Sequence, residues 1–306
     1  MDLTYASFDL TADPKILLNY DQVFTTTRLL GKGGVSDVYL VKGNYSKMEY
    51  ALKLIPVNLN IPGLPLKPVK LFAKEVAILK IVSGHPYVVK YFDAFKIKLE
   101  SQEYYAILME YVIGDTLEKI SQQKLKIYTI DEIYNIAEYL FGTVSYLHKN
   151  GVAHRDIHEG NLILTPGGTI KLIDFGEACF TDKNSPYSCR IFPYDVEEAI
   201  PHNFNGVPYE SVLFKNNITL YFTTVDVRMS AIVLFYLINQ NKPNIWHLML
   251  APSGEDYLPL TLDVNTNNLF LNAVVNGCSV VNPFQRFTAD EALMRLKLGK
   301  TKKDVY

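Results

Sequence analysis

The chain has 306 residues, of which 48% are hydrophobic and 20% are charged, and its formal net charge at pH 7 is -2. This composition is typical of a globular protein and excludes an intrinsically disordered chain. The near-neutral charge argues against a nucleic-acid partner that would be bound through a basic surface.

The cysteines and apolar stretches indicate which kinds of site and location the chain is expected to lack. The three cysteines, Cys179, Cys189 and Cys278, are widely spaced and form no Cys-x-x-Cys pair. This set predicts neither a disulfide framework nor a zinc site and favours a reducing, cytoplasmic location. The N-terminal sequence lacks a basic stretch followed by an apolar run, so we expect no secretory signal. Residues 229–238 form the most apolar stretch, but a membrane helix needs about 20 residues, so they predict a buried helix and no membrane span.

The first third of the chain predicts a small sheet. Residues 24–30, 35–41 and 49–55 are short stretches of β-branched and aromatic residues separated by glycine and asparagine turns, which indicates strands. Residues 69–82 carry apolar side chains at three- and four-residue spacing, which indicates a helix. Two more predicted strands, at residues 88–95 and 104–112, complete a mainly antiparallel sheet.

The rest of the chain predicts helices. Thr129-x-x-Glu132 and Thr288-x-x-Glu291 are capping boxes, and each predicts the start of a helix. The change from strands to helices falls near residues 112–115. The pattern therefore predicts two lobes joined by a short linker, with a ligand in the cleft between them.

A glycine-rich segment lies between the first two predicted strands. Residues 31–38 read GKGGVSDV, and glycines allow backbone amides to approach phosphate oxygens closely. A plain hairpin turn is the alternative. Lys53 on the third strand could neutralise phosphate charge, and Glu75 in the following helix could pair with it, although such pairs are common on protein surfaces.

A second pair of motifs narrows the chemistry. Residues 154–161 read HRDIHEGN, and residues 174–176 read DFG. A carboxylate such as Asp156 can accept a proton from a hydroxyl, while the Asn161 amide oxygen and the Asp174 carboxylate are ligands that suit Mg²⁺. Turns capped by Asp and Asn are the alternative, but the order of all these motifs argues against chance.

Together these motifs resemble the eukaryotic-type protein kinase family over roughly residues 24–296. The resemblance implies an α+β, two-lobed protein-kinase fold. Its predicted parts are an N-terminal extension (1–23), an N-lobe with an antiparallel sheet and one main helix (24–112), a larger helical C-lobe (113–298) and a basic tail (299–306).

The resemblance also implies ATP and Mg²⁺ as cofactors and a protein substrate. The residues it implies for catalysis are Lys53, Glu75, Asp156, Asn161 and Asp174. In the family, the lysine holds the phosphates while paired with the glutamate. The first aspartate is the base, and the asparagine and second aspartate bind Mg²⁺.

A further set of residues is implied for nucleotide binding. Residues 109–112 resemble the hinge that binds adenine through its backbone, with Met109 as gatekeeper and Asp115 near the ribose. The implied nucleotide-binding residues are Gly31, Lys32, Gly33, Gly34, Val38, Ala51, Lys53, Met109, Glu110, Val112, Asp115 and Ile163.

The chain departs from the family pattern at several positions. Ser36 replaces the third loop glycine, and His158 replaces the lysine of Ser/Thr kinases, which removes a permanent positive charge near the γ-phosphate. The Ala-Pro-Glu motif appears only as Pro-Tyr-Glu at residues 208–210. Asp226 resembles the acid that begins the central helix of the large lobe, and residues 282–286 resemble the arginine motif near the C-terminal end.

Three functions remain open from the sequence. A Ser/Thr protein kinase fits best. An aminoglycoside- or choline-type small-molecule kinase is the second, because the sequence HEGN followed by LIDFGEA also resembles those enzymes, but Arg155 and the glycine-rich loop argue against it. A pseudokinase is the third, although it would typically lack one of the catalytic residues, all of which are present here.

Regulation is expected in the activation segment, which we define as residues 174–210. Its possible phosphate acceptors are Thr181, Ser185, Tyr187 and Ser188. Its acids Asp195, Glu197 and Glu198 could instead pair with Arg155 without phosphorylation. That pairing predicts basal activity of the unmodified enzyme.

Overall fold

The computed structural model of the protein describes residues 16–17, 20–60, 66–189, 218–239, 262, 264–280 and 284–303. The chain divides into two units, Met1–Ile113 and Gly114–Tyr306. We call them the N-terminal unit and the C-terminal unit.

A six-stranded sheet forms most of the N-terminal unit. Its strands are β1 (Ile16–Leu17), β2 (Phe24–Lys32), β3 (Asp37–Gly43), β4 (Glu49–Pro56), β5 (Tyr91–Leu99) and β6 (Gln102–Glu110). The strand order is β1-β5-β6-β4-β3-β2. All neighbours are antiparallel except β1 and β5, which are parallel. The helices in the described part of the unit are α1 (Tyr20–Val23) and α2 (Pro68–Val82).

The two faces of this sheet have different roles. Leu52 and Leu54 of β4 pack into a hydrophobic cluster that also contains Tyr20 of α1 and Phe95 of β5. Each fully buried leucine contributes about 2 kcal/mol to stability. Side chains alternate along a strand, so Lys53, between the two leucines, points to the opposite face of the sheet.

The C-terminal unit is mainly helical. Its described helices are α3 (Leu117–Gln122), α4 (Ile130–Lys149), α5 (Ile218–Ile238), α6 (Leu269–Ser279) and α7 (Ala289–Lys303). Its described strands are β7 (Asp115–Thr116), β8 (Val152–Ala153), β9 (Leu162–Leu164), β10 (Ile170–Leu172) and β11 (Cys179–Phe180). They form a three-stranded sheet in the order β10-β9-β7 and a pair, β11-β8. The predicted α+β class is therefore confirmed.

Both predicted capping boxes are present. The Thr129 side chain accepts a hydrogen bond from the Glu132 backbone amide, and the Glu132 carboxylate accepts one from the Thr129 amide. The same reciprocal bonds join Thr288 and Glu291. Helices α4 and α7 begin at these residues because each box satisfies two amides that lack a partner within the helix.

Several sequence expectations need correction. The strand predicted at residues 88–95 is β5, which spans Tyr91–Leu99. The prediction began too early because Val88 and Val89 are apolar core residues that precede the strand. The elements that were not predicted are β1, β7, β8, β9, β11, α1, α3 and α6, since most are too short for a periodic pattern. Residues 208–210, Asn282 and Pro283 lie outside the described residues.

The cysteine prediction is wrong for one pair. Cys179 and Cys189 form a disulfide, with their Cα atoms 5.0 Å apart, while Cys278 is a buried free thiol. Sequence spacing failed here because a turn between the two residues brings them side by side. None of the described helices has the length and apolar character needed to cross a membrane.

Candidate active site

The glycine-rich loop joins β2 to β3 in a tight turn. The Gly33 amide donates to the Ser36 carbonyl oxygen at 2.8 Å. Lys32 and Asp37 lie opposite each other in the register of β2 and β3. A Cβ added at Gly31 or Gly34 would meet no atom within 4 Å. The loop backbone is therefore open to a ligand.

The sheet register collects several predicted nucleotide-binding residues on one face. Val38 lies opposite Lys53, and Ala51, two residues before that lysine, lies opposite Met109. Directly opposed residues and residues two apart project to the same side of a sheet. The register therefore groups Val38, Ala51, Lys53 and Met109.

A cavity on the other face of the sheet is distinct from this group. It has a volume of about 410 Å³, borders Gly33, and is lined by Tyr39 and Leu54. These two side chains alternate with Val38 and Lys53, so the cavity lies on the face opposite to Lys53. We therefore do not assign the nucleotide to it.

Lys53 forms a buried ion pair with Glu75 of α2. The distance from Lys53 Nζ to Glu75 Oε1 is 2.8 Å, and the two residues are 3% and 2% exposed. A buried charge is costly unless it is paired. The carboxylate therefore holds the ammonium group in one position on the sheet face that carries Val38, Ala51 and Met109.

The predicted hinge begins at the end of β6. The Glu110 amide donates to the Lys90 carbonyl at 2.8 Å, and its carboxylate accepts from the Lys90 amide at 3.1 Å. Val112 is buried. These two hydrogen bonds between Glu110 and Lys90 fix the course of the backbone as it leaves the sheet.

Two predicted nucleotide-binding residues, Asp115 and Ile163, lie on paired strands of the C-terminal unit, but they are offset by one residue in the register and project to opposite faces. Strands β7 and β9 pair Asp115 with Leu164 and Thr116 with Ile163. Gly114 precedes them with φ 146°, and a Cβ there would lie 2.2 Å from the Leu164 carbonyl oxygen. Only glycine fits this close approach. Asp115 and Ile163 are thereby held on adjacent strands.

Asp226 of α5 anchors the catalytic loop, which we define as residues 154–161. Its carboxylate is fully buried and accepts hydrogen bonds from the backbone amides of His154 at 2.8 Å and Arg155 at 2.7 Å. It also contacts His148 Nε2 at 3.0 Å. Arg155 has φ 68°, a conformation that costs energy for a residue with a side chain. The sequence resemblance located Asp226 but not this anchoring role, and His148 was missed.

Asp156 and Asn161 form one network. Asn161 Nδ2 donates to both the carbonyl oxygen and the carboxylate Oδ2 of Asp156, at 2.9 Å each. The two amide hydrogens are thus used, which leaves Asn161 Oδ1 as the group available to a cation. His158 Nε2 lies 3.5 Å from the same Asp156 carboxylate.

Burial and neighbouring charges shift the pKa values of these groups. Burial raises the pKa of Asp156, but the hydrogen bond and charge of His158 outweigh burial and hold that pKa below its usual value. Burial lowers the pKa of His158, but the hydrogen bond and charge of Asp156 outweigh burial, and the charges of Glu159 and Glu118 add to this effect. The pKa of His158 is therefore raised above its usual value. Desolvation by complete burial lowers the pKa of His154, so that this ring is neutral.

The His158 ring has a competing contact. The Gly160 amide donates to His158 Nδ1 at 3.1 Å, a bond that only an unprotonated Nδ1 can accept. Protonation of His158 therefore strengthens the contact with Asp156 but removes the one with Gly160. The lost bond to Gly160 therefore offsets part of the stabilisation gained from Asp156.

We expect a modest pH dependence from this pair. Protonated His158 stabilises the fold below its unfolded pKa of about 6.5, and this contribution is lost as pH rises through the raised folded pKa. The lowered pKa of Asp156 confines the benefit to pH values above the folded pKa of that carboxyl. His158→Asn, which keeps an acceptor for Gly160, should cost more stability at pH 6 than at pH 8.5, by less than about 1 kcal/mol. Chemical unfolding at the two pH values measures this difference, and an equal cost at both would contradict it.

Asp174 follows β10 beside Asn161. The Ile173 amide donates to the Asn161 carbonyl oxygen at 2.9 Å, and Asp174 Oδ1 accepts from the Gly176 amide at 3.0 Å. Asp174 is exposed and has φ 59°. A carboxylate and an amide oxygen at neighbouring positions are the hard oxygen ligands that Mg²⁺ takes in proteins.

Phe175 and Arg286 are buried side chains of the C-terminal unit. Phe175 is fully buried, and its ring packs edge-on against His154 with centroids 4.8 Å apart. Arg286 is buried and donates to the carbonyl oxygens of Val280 and Thr224.

Asp195, Glu197 and Glu198 lie outside the described residues, so their pairing with Arg155 stays a prediction.

Comparison with known proteins shows which family the sequence matches. Residues 24–206 match the family model of the protein kinase domain. The mouse serine/threonine-protein kinase Nek3 is 32% identical over 187 residues, which cover 59% of this chain and 34% of the relative. Cyclin-dependent kinase 4 of Xenopus laevis is 32% identical over 241 residues, which cover 77% of this chain and 67% of the relative.

A third relative extends over more of the chain. The probable serine/threonine-protein kinase mkcD of Dictyostelium discoideum is 26% identical over 278 residues, or 88% of this chain and 39% of that protein. The chain thus spans less than two fifths of the mouse and Dictyostelium proteins. The match to the family model covers more than half of the chain and confirms the predicted family. The chain belongs to the protein kinase family.

Proposed function

We propose that the chain is an ATP-dependent protein kinase that transfers the γ-phosphoryl group of ATP to serine or threonine hydroxyls of a protein substrate. The observation that carries this proposal is the hydrogen-bonded network of Asp156 and Asn161, with Asp174 tied to it through the Ile173 amide. We infer that residues 24–112 act as the N-lobe and residues 113–298 as the C-lobe.

The N-terminal unit supplies the phosphate-binding groups of this proposal. Open space beside the backbone of Gly31 and Gly34 lets phosphate oxygens approach it closely. Lys53 adds a cation that its ion pair with Glu75 holds in place. Val38, Ala51 and Met109 share the sheet face of Lys53 and provide an apolar surface for adenine.

The C-terminal unit supplies the remaining groups. We propose that Asn161 Oδ1 and the Asp174 carboxylate hold Mg²⁺, which when bound neutralises phosphate oxygens. Asp156 accepts a hydrogen bond and then the proton from the attacking hydroxyl. The lowered pKa of Asp156 keeps it ionised, so it is ready to orient that hydroxyl at neutral pH.

The choice of Ser/Thr rests on the relatives, and one residue departs from the family pattern. The relatives named above include two serine/threonine-protein kinases, of mouse and Dictyostelium. His158 stands where such kinases carry lysine, so a titratable group replaces a permanent charge. We propose a cytoplasmic site of action, where ATP is abundant and thiols are mostly reduced.

The function is tested by incubation of the full chain with labelled ATP and Mg²⁺. Separate reactions contain no acceptor, generic protein substrates, an aminoglycoside and choline panel, and no Mg²⁺. Phosphoserine or phosphothreonine in the protein reactions supports the proposal. Phosphotyrosine alone would contradict the choice of serine or threonine. Label only on a small molecule would indicate a small-molecule kinase, and nucleotide binding without transfer would indicate a pseudokinase.

Lys53→Met is expected to lower phosphoryl transfer about a hundredfold, because one preorganised positive group is lost from the phosphate site. The substitution removes the ammonium group that lies 2.8 Å from the buried Glu75 carboxylate, which costs about 3–5 kcal/mol of stability. The double variant Lys53→Met/Glu75→Gln also removes the carboxylate charge. It should regain stability but not activity, as measured by unfolding and by labelled transfer.

A matched control separates this effect from a general loss of charge. Lys42→Met removes an exposed lysine from the neighbouring strand β3 and should leave the rate unchanged. Transfer at the wild-type rate by Lys53→Met would exclude the proposed role of this lysine.

A further inference from the structure

The disulfide joins two points of the activation segment next to the catalytic loop. Cys179 lies in β11, and β11 pairs with β8 so that Cys179 is opposite Ala153. Ala153 directly precedes the loop that carries Asp156. Cys189 follows ten residues after its partner. One half of the cystine is therefore fixed to the strand that leads into the proposed base.

Backbone hydrogen bonds bring the two cysteines together independently of the sulfur–sulfur bond. The Phe180 amide donates to the Tyr187 carbonyl at 3.1 Å, and the Cys189 amide donates to the Phe180 carbonyl at 2.7 Å. The Cα atoms of Cys179 and Cys189 are 5.0 Å apart, within the range that a disulfide spans without backbone movement. The thiols would thus remain neighbours after reduction and could rejoin.

The cystine packs against a residue that contacts the catalytic loop. Both cysteine side chains are buried, and they cluster with Ala153 and with Phe222 of α5. The guanidinium of Arg155 lies over the Phe222 ring, 4.8 Å from its centroid. A change in the position of the cysteines therefore reaches the residue next to Asp156 through one aromatic ring.

We propose that Cys179 and Cys189 are a reversible redox-modification site, whose disulfide fastens the activation segment to the catalytic loop and whose reduction loosens it. Disulfides in reducing compartments are usually transient and redox-sensing. The co-reactant we propose is a low-molecular-weight disulfide of the glutathione type.

The exchange balances without another reagent. One cysteine thiolate attacks a sulfur of glutathione disulfide and expels a glutathione thiolate, and the second cysteine thiolate then attacks the mixed disulfide and expels the other. Two protein thiols are oxidised, one glutathione disulfide is reduced to two glutathiones, and the two thiol protons pass to the released thiolates. Because the pair is buried, exchange needs local opening of residues 180–188.

The expected effect on catalysis rests on the proposed function. The ring closed by the disulfide contains Ser185, Tyr187 and Ser188 but none of the groups assigned to ATP. Reduction should therefore raise KM for a protein substrate about fivefold or more, while KM for ATP changes little.

The first test uses the full chain in buffers of graded glutathione to glutathione disulfide ratio. Free thiols are trapped with N-ethylmaleimide, and linked peptides are identified by mass spectrometry. We expect a Cys179–Cys189 link that titrates with the ratio, while Cys278 stays a thiol, since burial disfavours its reactive thiolate and raises its pKa. Hydrogen exchange at the Phe180 and Cys189 amides should accelerate on reduction.

Variants supply the matched comparison. The double variant Cys179→Ala/Cys189→Ala should behave like reduced wild type at every ratio, whereas Cys278→Ala should keep the full response. Absence of the link at all ratios, or amide exchange that is the same in both forms of the wild type, overturns the proposal. So does an active enzyme whose KM for protein does not respond.

The failure of the proposed function would look different. If no kinase activity is found in any form, the titrating link and the change in amide exchange still establish the redox pair, and only the effect on KM is withdrawn.

Discussion

Asp174→Asn is expected to lower phosphoryl transfer about a thousandfold, because a negatively charged ligand is lost from the proposed Mg²⁺ site. The structure makes this substitution selective. Asp174 has φ 59°, a conformation that asparagine tolerates, and its Oδ1 accepts from the Gly176 amide, as an asparagine Oδ1 would also do. The local turn should therefore persist, so that the charge alone changes.

Labelled transfer across a series of Mg²⁺ concentrations measures this effect. A control is Asp182→Asn, which neutralises an exposed carboxylate in the same segment and keeps its bond to the Asn184 amide. The control should have wild-type activity. Full activity of Asp174→Asn at low Mg²⁺ would show that this carboxylate does not hold the metal.

Asp156→Ala is expected to reduce turnover about a thousandfold, within the usual contribution of a positioned general base. ATP affinity should hardly change, because the proposed base touches the acceptor hydroxyl and its loss removes an interaction made mainly in the transition state. Asn161 keeps its bond to the Asp156 carbonyl oxygen in this variant, so the neighbouring amide stays oriented. Single-turnover rates and a separate ATP binding titration distinguish the two quantities.

Asp156→Asn gives the matched comparison. It preserves the size of the side chain and an acceptor for Asn161 Nδ2, but an amide cannot accept a proton from the substrate. We expect it to be as inactive as Asp156→Ala. If ATP affinity collapses while the rate per bound complex is retained, or if Asp156→Asn is active, Asp156 is not the base.

The strands and helices with long, regular patterns were predictable. The β-branched and aromatic composition of β4 and the three- and four-residue spacing of apolar residues in α2 indicated both elements. The capping boxes at Thr129 and Thr288 indicated where α4 and α7 begin, since the bonds they make are local. Elements β1 and α1 contain two and four residues, which is too few for periodicity to register.

The predicted site residues were chosen from order and spacing, and the structure adds their contacts. Asp156 and Asn161 are five residues apart, and their hydrogen bonds follow from a short local turn. The anchoring of His154 and Arg155 by Asp226 could not be deduced, because these residues lie more than 70 positions apart in the sequence. Only the packing of α5 brings that carboxylate to the loop.

The sequence by itself determined the family, the α+β class and the types of residue available for phosphate, metal and proton chemistry, because these depend on local patterns and on residue identity. Tertiary structure decided what depends on distant parts of the chain meeting. The sequence had suggested the Lys53–Glu75 ion pair, but its 2.8 Å contact depends on how α2 packs against β4. The pairing of Cys179 with Cys189 needs the backbone to turn back beside β11, and spacing alone had argued against any disulfide.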